Sequence, residues 1–158
     1  MNFLFRSLFA VCLLSASVFA SDLSITAANV TPSVNAITRT ATAGAAITAG
    51  KLVYKSSTDQ KLYLAQANSG SSDVRNVVGI AIVSAAIGAP CAYVTEDPAL
   101  VIGGTTANGT VYVLSATAGG IAPLADATTG WYPTVIAVGT STTTVAFRAK
   151  PLRSATSL

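Results

Sequence analysis

The chain contains no histidine, which removes the general base of a Ser-His-Asp triad, the partner of a catalytic cysteine and every His-ligated metal site. Cys91 stands alone in the body, with no neighbouring base in sequence, and an isolated cysteine after "IGAP" in an apolar run reads as a small buried hydrophobe. Six carboxylates remain: Asp22, Asp59, Asp73, Glu96, Asp97 and Asp126. Two of them would suffice for glycoside hydrolysis, yet no spacing singles out a pair. "TEDP" at residues 95 to 98 offers oxygens to a Ca²⁺ but too few for a cation that takes six to eight, and it reads as a polar turn. "SGSSD" and "IGGTTANG" have the glycines of a phosphate loop without its lysine and spacing. Asn29-Val30-Thr31 and Asn108-Gly109-Thr110 match the glycosylation sequon, which a threonine-rich chain produces by chance. Trp131, Tyr132, Tyr54, Tyr63, Tyr93 and Tyr112 suggest a sugar-binding platform or, better, core and interface packing, because these side chains join a large apolar area to one polar end. The expectation is a protein that is not an enzyme, with no cofactor, no metal and no small-molecule substrate.

The elements that must position these residues are short strands. Charged residues make up only 9% of the 158 residues, against roughly 25% in an ordinary soluble domain, and Ala, Thr, Ser, Val and Gly fill the space. The run from Pro98 to Ala125 contains no Asp, Glu, Lys or Arg. "KLVYK" from Lys51 and "KLYLA" from Lys61 flank "SSTDQ" as a hairpin. "VVGIAIVSAA" from Val77 reads as a buried strand with a bulge or a close backbone approach at Gly79. "CAYVTED", "ALVIGG", "GTVYVLSA", "GGIAPLA", "WYPTVIAVG" and "TTTVAFRAK" come next at intervals of about ten residues, the spacing of a sandwich or barrel. At most one short helix is expected, between Gln66 and Val74. "AGKLVYKSSTDQKLYLA" from Ala49 is similar to "NGTVYVLSATAGGIAPLA" from Asn108, which suggests two related β units.

The formal charge of +3 arises from a scarcity of acids, and Arg39, Lys51, Lys55, Lys61, Arg75, Arg148, Lys150 and Arg153 are dispersed. A nucleic-acid partner, which needs a concentrated basic stripe, is therefore not expected. Residues 1–20 carry Arg6, an apolar stretch from Leu8 to Leu14 that includes Cys12, and small residues ending in Val18-Phe19-Ala20. This is the pattern of a secretory signal peptide with cleavage after Ala20, too short to span a bilayer comfortably; retention as an apolar packing segment is the alternative. Residues 21–44, interrupted by Pro32, read as an extended arm whose Leu23, Ile25, Val30, Val34 and Ile37 let it lie along a body or a neighbour. Residues 45–151 form the β-rich domain, and 152–158 a C-terminal tail.

The order of "ATAGAAITAGKLVYKSSTDQKLYLAQAN", "VVGIAIVSAAIGAPCAYVTED" and "GTVYVLSATAGGIAPLADATTGWYPTVIAVGTSTTTVAFRA" resembles the decoration, or cement, proteins of tailed-bacteriophage capsids, from about Ala41 to Lys150. The resemblance implies an all-β fold, a small β-sandwich or barrel of β-tulip-like form with two related units, an extended N-terminal arm and an apolar N-terminal segment. It further implies a homotrimer on the outer surface of the virion, clamping neighbouring copies of the major capsid protein. In that setting the uncharged run would be closed between copies or against the shell, and the arm would reach a neighbour or the shell. Leu23, Ile25, Val30, Ile37, Tyr112, Trp131 and Tyr132 are the residues expected at the contacts. A secreted or periplasmic surface or adhesion domain with a cleaved signal peptide is the alternative, because heads assemble in the cytoplasm.

Overall fold

The computed structural model describes residues 21–149. The signal-like segment 1–20, with Cys12, and the tail 152–158 lie outside the described residues. Nine strands form a single curled antiparallel sheet: β1 (Ile37–Thr42), β2 (Leu52–Lys55), β3 (Leu62–Leu64), β4 (Val77–Ala81), β5 (Pro90–Val101), β6 (Val111–Leu114), β7 (Ile121–Pro123), β8 (Val135–Gly139) and β9 (Thr144–Arg148). The all-β expectation holds. The predicted hairpin is β2–β3, paired through Val53↔Leu64, Tyr54↔Tyr63 and Lys55↔Leu62. Residues between Gln66 and Val74 form turns instead of a helix; Asn68, Ser69, Gly70, Ser71, Ser72 and Asp73 favour turn geometry over helix interiors. Among the described residues the helical backbone is confined to two three-residue 3₁₀ turns, Ala27–Asn29 and Leu124–Asp126.

The strand order β3-β2-β4-β5-β9-β8-β6-β7 is the same unit written twice and joined head to head. Strand β2 with its hairpin partner β3, then β4 and β5, corresponds to β6 with β7, then β8 and β9. Local hydrogen bonds repeat as well. The Gly50 N–H donates to Ala81 O at 2.7 Å, and the Gly109 N–H to Gly139 O at 2.8 Å; the Ala81 N–H donates back to Lys51 O at 2.9 Å, and the Gly139 N–H to Thr110 O at 2.8 Å. Both opening glycines have positive φ, 86° and 77°, a region that costs glycine nothing. Even the irregularities match: β4 carries Val78 as an extra residue opposite Val53/Tyr54, and β8 carries Ile136 as an extra residue opposite Tyr112/Val113. One added residue bends and twists a strand, so paired bulges curl both halves of the sheet in the same sense.

The bend closes a core shared by the halves. Leu52, Ile80, Val94, Leu100, Ile102, Leu114, Ile121, Ile136, Val145 and Phe147 fill it, all with 2% or less of their surface exposed. A second cluster covers the opposite face of the first unit, where Val53, Leu62, Ala81, Cys91 and Tyr93 lie beneath Ala43, Ile47 and Ala85. The first unit is thus buried on both faces, which is why "VVGIA" reads as an unbroken apolar run rather than an alternating one. Gly79 also has a steric role. A Cβ there would lie 2.4 Å from the Tyr93 ring and 2.5 Å from Val94 O, so glycine is what lets Tyr93 cross the strand.

The run from Pro98 to Ala125 is covered from within. Leu100, Ile102, Val113, Leu114 and Ala122 are wholly buried, and Tyr112 and Ile121 nearly so. Its apolar strand residues are thus met by the protomer's own core, while Leu124 and the loop residues stay exposed.

Candidate interaction surface

The arm is extended as expected, but it lies on its own body. The Leu23 N–H donates to Ile121 O at 2.7 Å, the Thr26 N–H to Gly103 O at 2.8 Å, and Thr31 pairs with Val101 in both directions at 2.9 and 3.1 Å. Its seat is cut from glycine. A Cβ on Gly103 would meet Thr26 O at 2.6 Å and one on Gly104 would meet Ser24 O at 2.5 Å, while Gly50 and Gly120 give equal clearance beneath Ile25 and Asp22. Backbone lies directly on backbone here, which only glycine permits. The arm therefore touches both β units, and the picture of it reaching across to a neighbour or a shell is replaced, for residues 21–31, by a seat within the protomer.

A buried carboxylate holds the next part of the arm. Asp97 is fully buried and accepts from the Ser33 N–H at 2.8 Å, the Ser33 hydroxyl at 2.5 Å and the Ala99 N–H at 2.9 Å. The site is a bulge in β5, where the register shifts between Asp97 and Leu100. Pro98 occupies this irregularity, where no ladder donor is needed. "TEDP" is thus part of β5 rather than an exposed turn: Asp97 faces inward to the arm, and Glu96 faces out in an exposed 2.6 Å ion pair with Arg148. Such a pair is worth little by itself.

The remaining titratable groups have structural partners. Asp59 accepts from the Tyr63 hydroxyl at 2.8 Å and from the Lys61 N–H. The Tyr63 hydrogen bond first, then the Lys61 amide, holds its carboxyl below the usual range, and the same bond raises Tyr63. Asp73 is lowered by Ser57, through its side chain and its amide. A general acid needs the opposite displacement, so these two carboxylates are suited to turn-holding rather than proton donation. Burial raises the Cys91 thiol, the direction that suppresses thiolate chemistry. Tyr54 and Tyr63 stack with centroids 5.8 Å apart, and Arg75 lies 3.6 Å above the Tyr132 ring. Among the described residues no three His, Cys, Asp or Glu side chains converge as a metal site.

The residues expected at contacts therefore divide. Tyr112 is 3% exposed, with its hydroxyl accepting from the Ala107 N–H, and Trp131 is 6% exposed in the shared core. Val30 is buried, and Leu23 and Ile25 pack half-buried against the same core. Tyr132 is half-buried under Arg75. Only Ile37, half exposed, remains on an open surface. It begins β1, whose side chains are exposed throughout except at Ala41. β1 pairs with the first half of β5 and with no other strand among the described residues.

β1 and β9 lie on opposite edges of β5 and both reach Glu96, which pairs with Ile37 on one side and Arg148 on the other; β4 and β9 follow one another along the edge that β1 does not occupy. Beside this junction lies a cleft of about 730 Å³, with Val77, Val78 and Tyr93 as its apolar floor and Arg39, Glu96 and Arg148 among its walls. Sequence reasoning missed the cleft. It arises where β5 passes from β4 to β9 along one edge, with β1 on the other, and no motif marks that arrangement. Comparisons with models of protein families, with curated proteins and with solved structures find no match to this chain.

Proposed function

We propose that the chain is a non-enzymatic structural protein that decorates the outside of a tailed-phage head, bridging neighbouring major capsid subunits as a homotrimer. The observation that carries this reading is the open rim: β1 is a six-residue, exposed edge strand beside a wide cleft. An uncovered edge presents a row of backbone donors and acceptors, a template for an added strand. Most proteins blunt such an edge with charge, but Arg39 is the one charged residue in "ITRTAT". Val34, Val83 and Ile87 add exposed apolar side chains elsewhere. A rigid, nearly uncharged body of this kind suits repeated weak contacts multiplied around a lattice.

The test is to purify particles from the producing strain and quantify the chain in them, with its oligomeric state measured by light scattering. Many copies per head and a trimeric mass support the proposal; a monomer absent from particles defeats it.

A second reading, an exported surface or adhesion domain, is favoured by Val18-Phe19-Ala20 and by the exposed position of Ser21, whose nitrogen lies beside Asp126. It predicts the chain in the periplasm or medium and none in particles.

A further inference from the structure

We infer, on the reading of β1 as the contact edge, that this edge takes an extended segment of another protein whose residue beside Arg39 is Asp or Glu, with an aliphatic residue two places away on either side. Among the described residues β1 pairs with β5 alone, so its other edge presents backbone groups without strand partners. Successive side chains of a strand point to opposite faces. One face of β1 presents Ile37, Arg39 and Ala41, the other Thr38, Thr40 and Thr42. A strand added to the free edge stands its side chains beside these, about 4.5–5.5 Å away between Cβ atoms, and so reads them in order.

Arg39 sets the charge. It is exposed, and among the described residues it has no carboxylate partner, whereas Arg148, the other cation of the cleft, is taken by Glu96 at 2.6 Å. Burial raises the Tyr93 phenol, and Arg39, its partner in the register, lies close enough to oppose that rise. An acid beside Arg39 on the added strand is the opposite-charge neighbour that stabilises a cross-strand pair; a Lys or Arg there is the like-charge neighbour that opposes it. Ile37 and Arg39 are also walls of the cleft, whose floor is Val77, Val78 and Tyr93. Aliphatic side chains at the flanking positions therefore have apolar surface to cover.

The same chemistry disfavours a second copy as the occupant. β1 holds no acid, so pairing it with itself sets Arg39 beside an uncharged residue or another Arg39. Of the six acids in the chain, none has an aliphatic residue two places away on both sides. Glu96, between Val94 and Pro98, comes nearest, and it is already paired on both edges of its strand.

The probe is the peptide acetyl-Thr-Val-Thr-Glu-Thr-Val-Thr-amide, whose order of side chains is the same in both directions and so suits either orientation of pairing. It is titrated by NMR into the full, isotope-labelled 158-residue chain, beside the same peptide with Lys in place of Glu. Shift changes are expected at β1, residues 37–42, and at Val77 and Val78 in the cleft. The Glu peptide should bind about tenfold more tightly than the Lys peptide, the order should reverse in Arg39→Glu, and the two should bind alike in Arg39→Gln. Absence of binding, equal affinity of the two peptides for the wild-type chain, or shift changes away from β1 overturns the proposal. So does a fall in the chain's mass by light scattering as the Glu peptide is added, because a second copy then holds the edge. Particle association is measured apart from the peptides. A charge-selective β1 in a chain absent from particles removes the capsid and keeps the partner's chemistry; many copies in particles with no charge preference do the reverse.

Discussion

Replacing Asp97 with alanine tests how the arm is attached. The carboxylate is fully buried and accepts three hydrogen bonds, two from Ser33 and one from the Ala99 amide. Hydrogen bonds to charged groups contribute roughly 1.5–3 kcal/mol each, and a buried donor left without a partner costs about 1–3 kcal/mol. The variant strands the Ser33 and Ala99 amides, while the Ser33 hydroxyl can rotate toward water. Taking the two amide bonds at the low end of the first range, because Ser33 is half-buried and Ala99 exposed, gives about 3 kcal/mol, or roughly a 140-fold drop in the folding constant, since about 1.4 kcal/mol is tenfold. Set against a total of roughly 5–15 kcal/mol for a domain, that is a large share. Ser33→Ala keeps both amides bonded and removes only the hydroxyl, so it should cost about 1–2 kcal/mol. Urea unfolding followed by the fluorescence of Trp131, the only tryptophan, measures both. Hydrogen exchange adds the location: the Thr31 and Val101 amides, which bond each other's carbonyls across the arm and β5, should lose protection in Asp97→Ala before the amides of β6 and β8 do. A loss of stability below about 1 kcal/mol, or equal effects of the two variants, would refute the reasoning that this carboxylate is the arm's anchor.

Gly79→Val places a branched side chain where a Cβ already meets the Tyr93 ring and Val94 O, and overpacking of this kind should cost about 2–3 kcal/mol in the same unfolding assay; the corresponding Ala137→Val should cost less, because alanine is already accommodated there. Cys91 is buried and its thiol raised, so a thiol reagent at about pH 8 should label the native chain on the order of 100-fold more slowly than the urea-unfolded one. The pH dependence at the hairpin has two arms with opposite signs. Asp59 is lowered when folded, so its contribution is present above the unfolded carboxyl value and is lost as pH falls through the folded one. Tyr63 is raised, so its contribution is present below the unfolded phenol value and is lost as pH rises through the folded one. In Tyr63→Phe, carbon-detected NMR titration should show Asp59 moving back up toward its ordinary value, and an unchanged titration would count against the hydrogen bond as the cause.

Much of the β architecture was legible because its signals are local. Glycine before a β-branched run, with Ser, Thr and Asp between two such runs, announces a hairpin through backbone conformations that few other residues adopt, and the pairs Gly50/Gly109 and Tyr54/Val113 lie at matching places in the two units. Gly79 was legible for a similar reason: a glycine inside an apolar strand needs a neighbour that requires the space. The arm's seat was not legible. Gly103 and Gly104 look like any turn, and only the approach of Ser24 and Thr26, distant in sequence, makes them a floor. Asp97 was equally hidden. "TEDP" has the composition of a solvated turn, and its place in a strand, whose alternation sends Glu96 outward and Asp97 inward, comes from the β5–β9 pairing, which single-residue propensities do not encode.

The uncharged run shows how composition and placement separate. A segment from Pro98 to Ala125 without a charge invites the inference of an external cover, because exposed apolar surface of that extent associates. The alternative cover is the chain itself. A sheet built from two copies of one unit, joined at β5 and β9, brings two sets of apolar strands onto one another when both bulges curl it in the same sense. The second unit then needs no charge, because its core-facing residues meet the first unit and its loops are surfaced with Thr, Ser, Ala and Gly. Among the described residues the edge strands are β3 and β7, of three residues each, and β1, the longest at six and the one outside the duplication. β1 belongs to neither unit, lies on an edge of β5 that β9 does not reach, and has no counterpart in the second half among the described residues. Association, if it arises from the physics of the protomer, should therefore be sensitive to β1 and not to Tyr112 or Trp131: Thr40→Pro, which removes a donor from the edge and constrains φ, should weaken assembly while leaving the shared core intact. An assembly that survives Thr40→Pro but fails with exposed apolar residues such as Ile87→Ser would move the contact to the 82–89 loop.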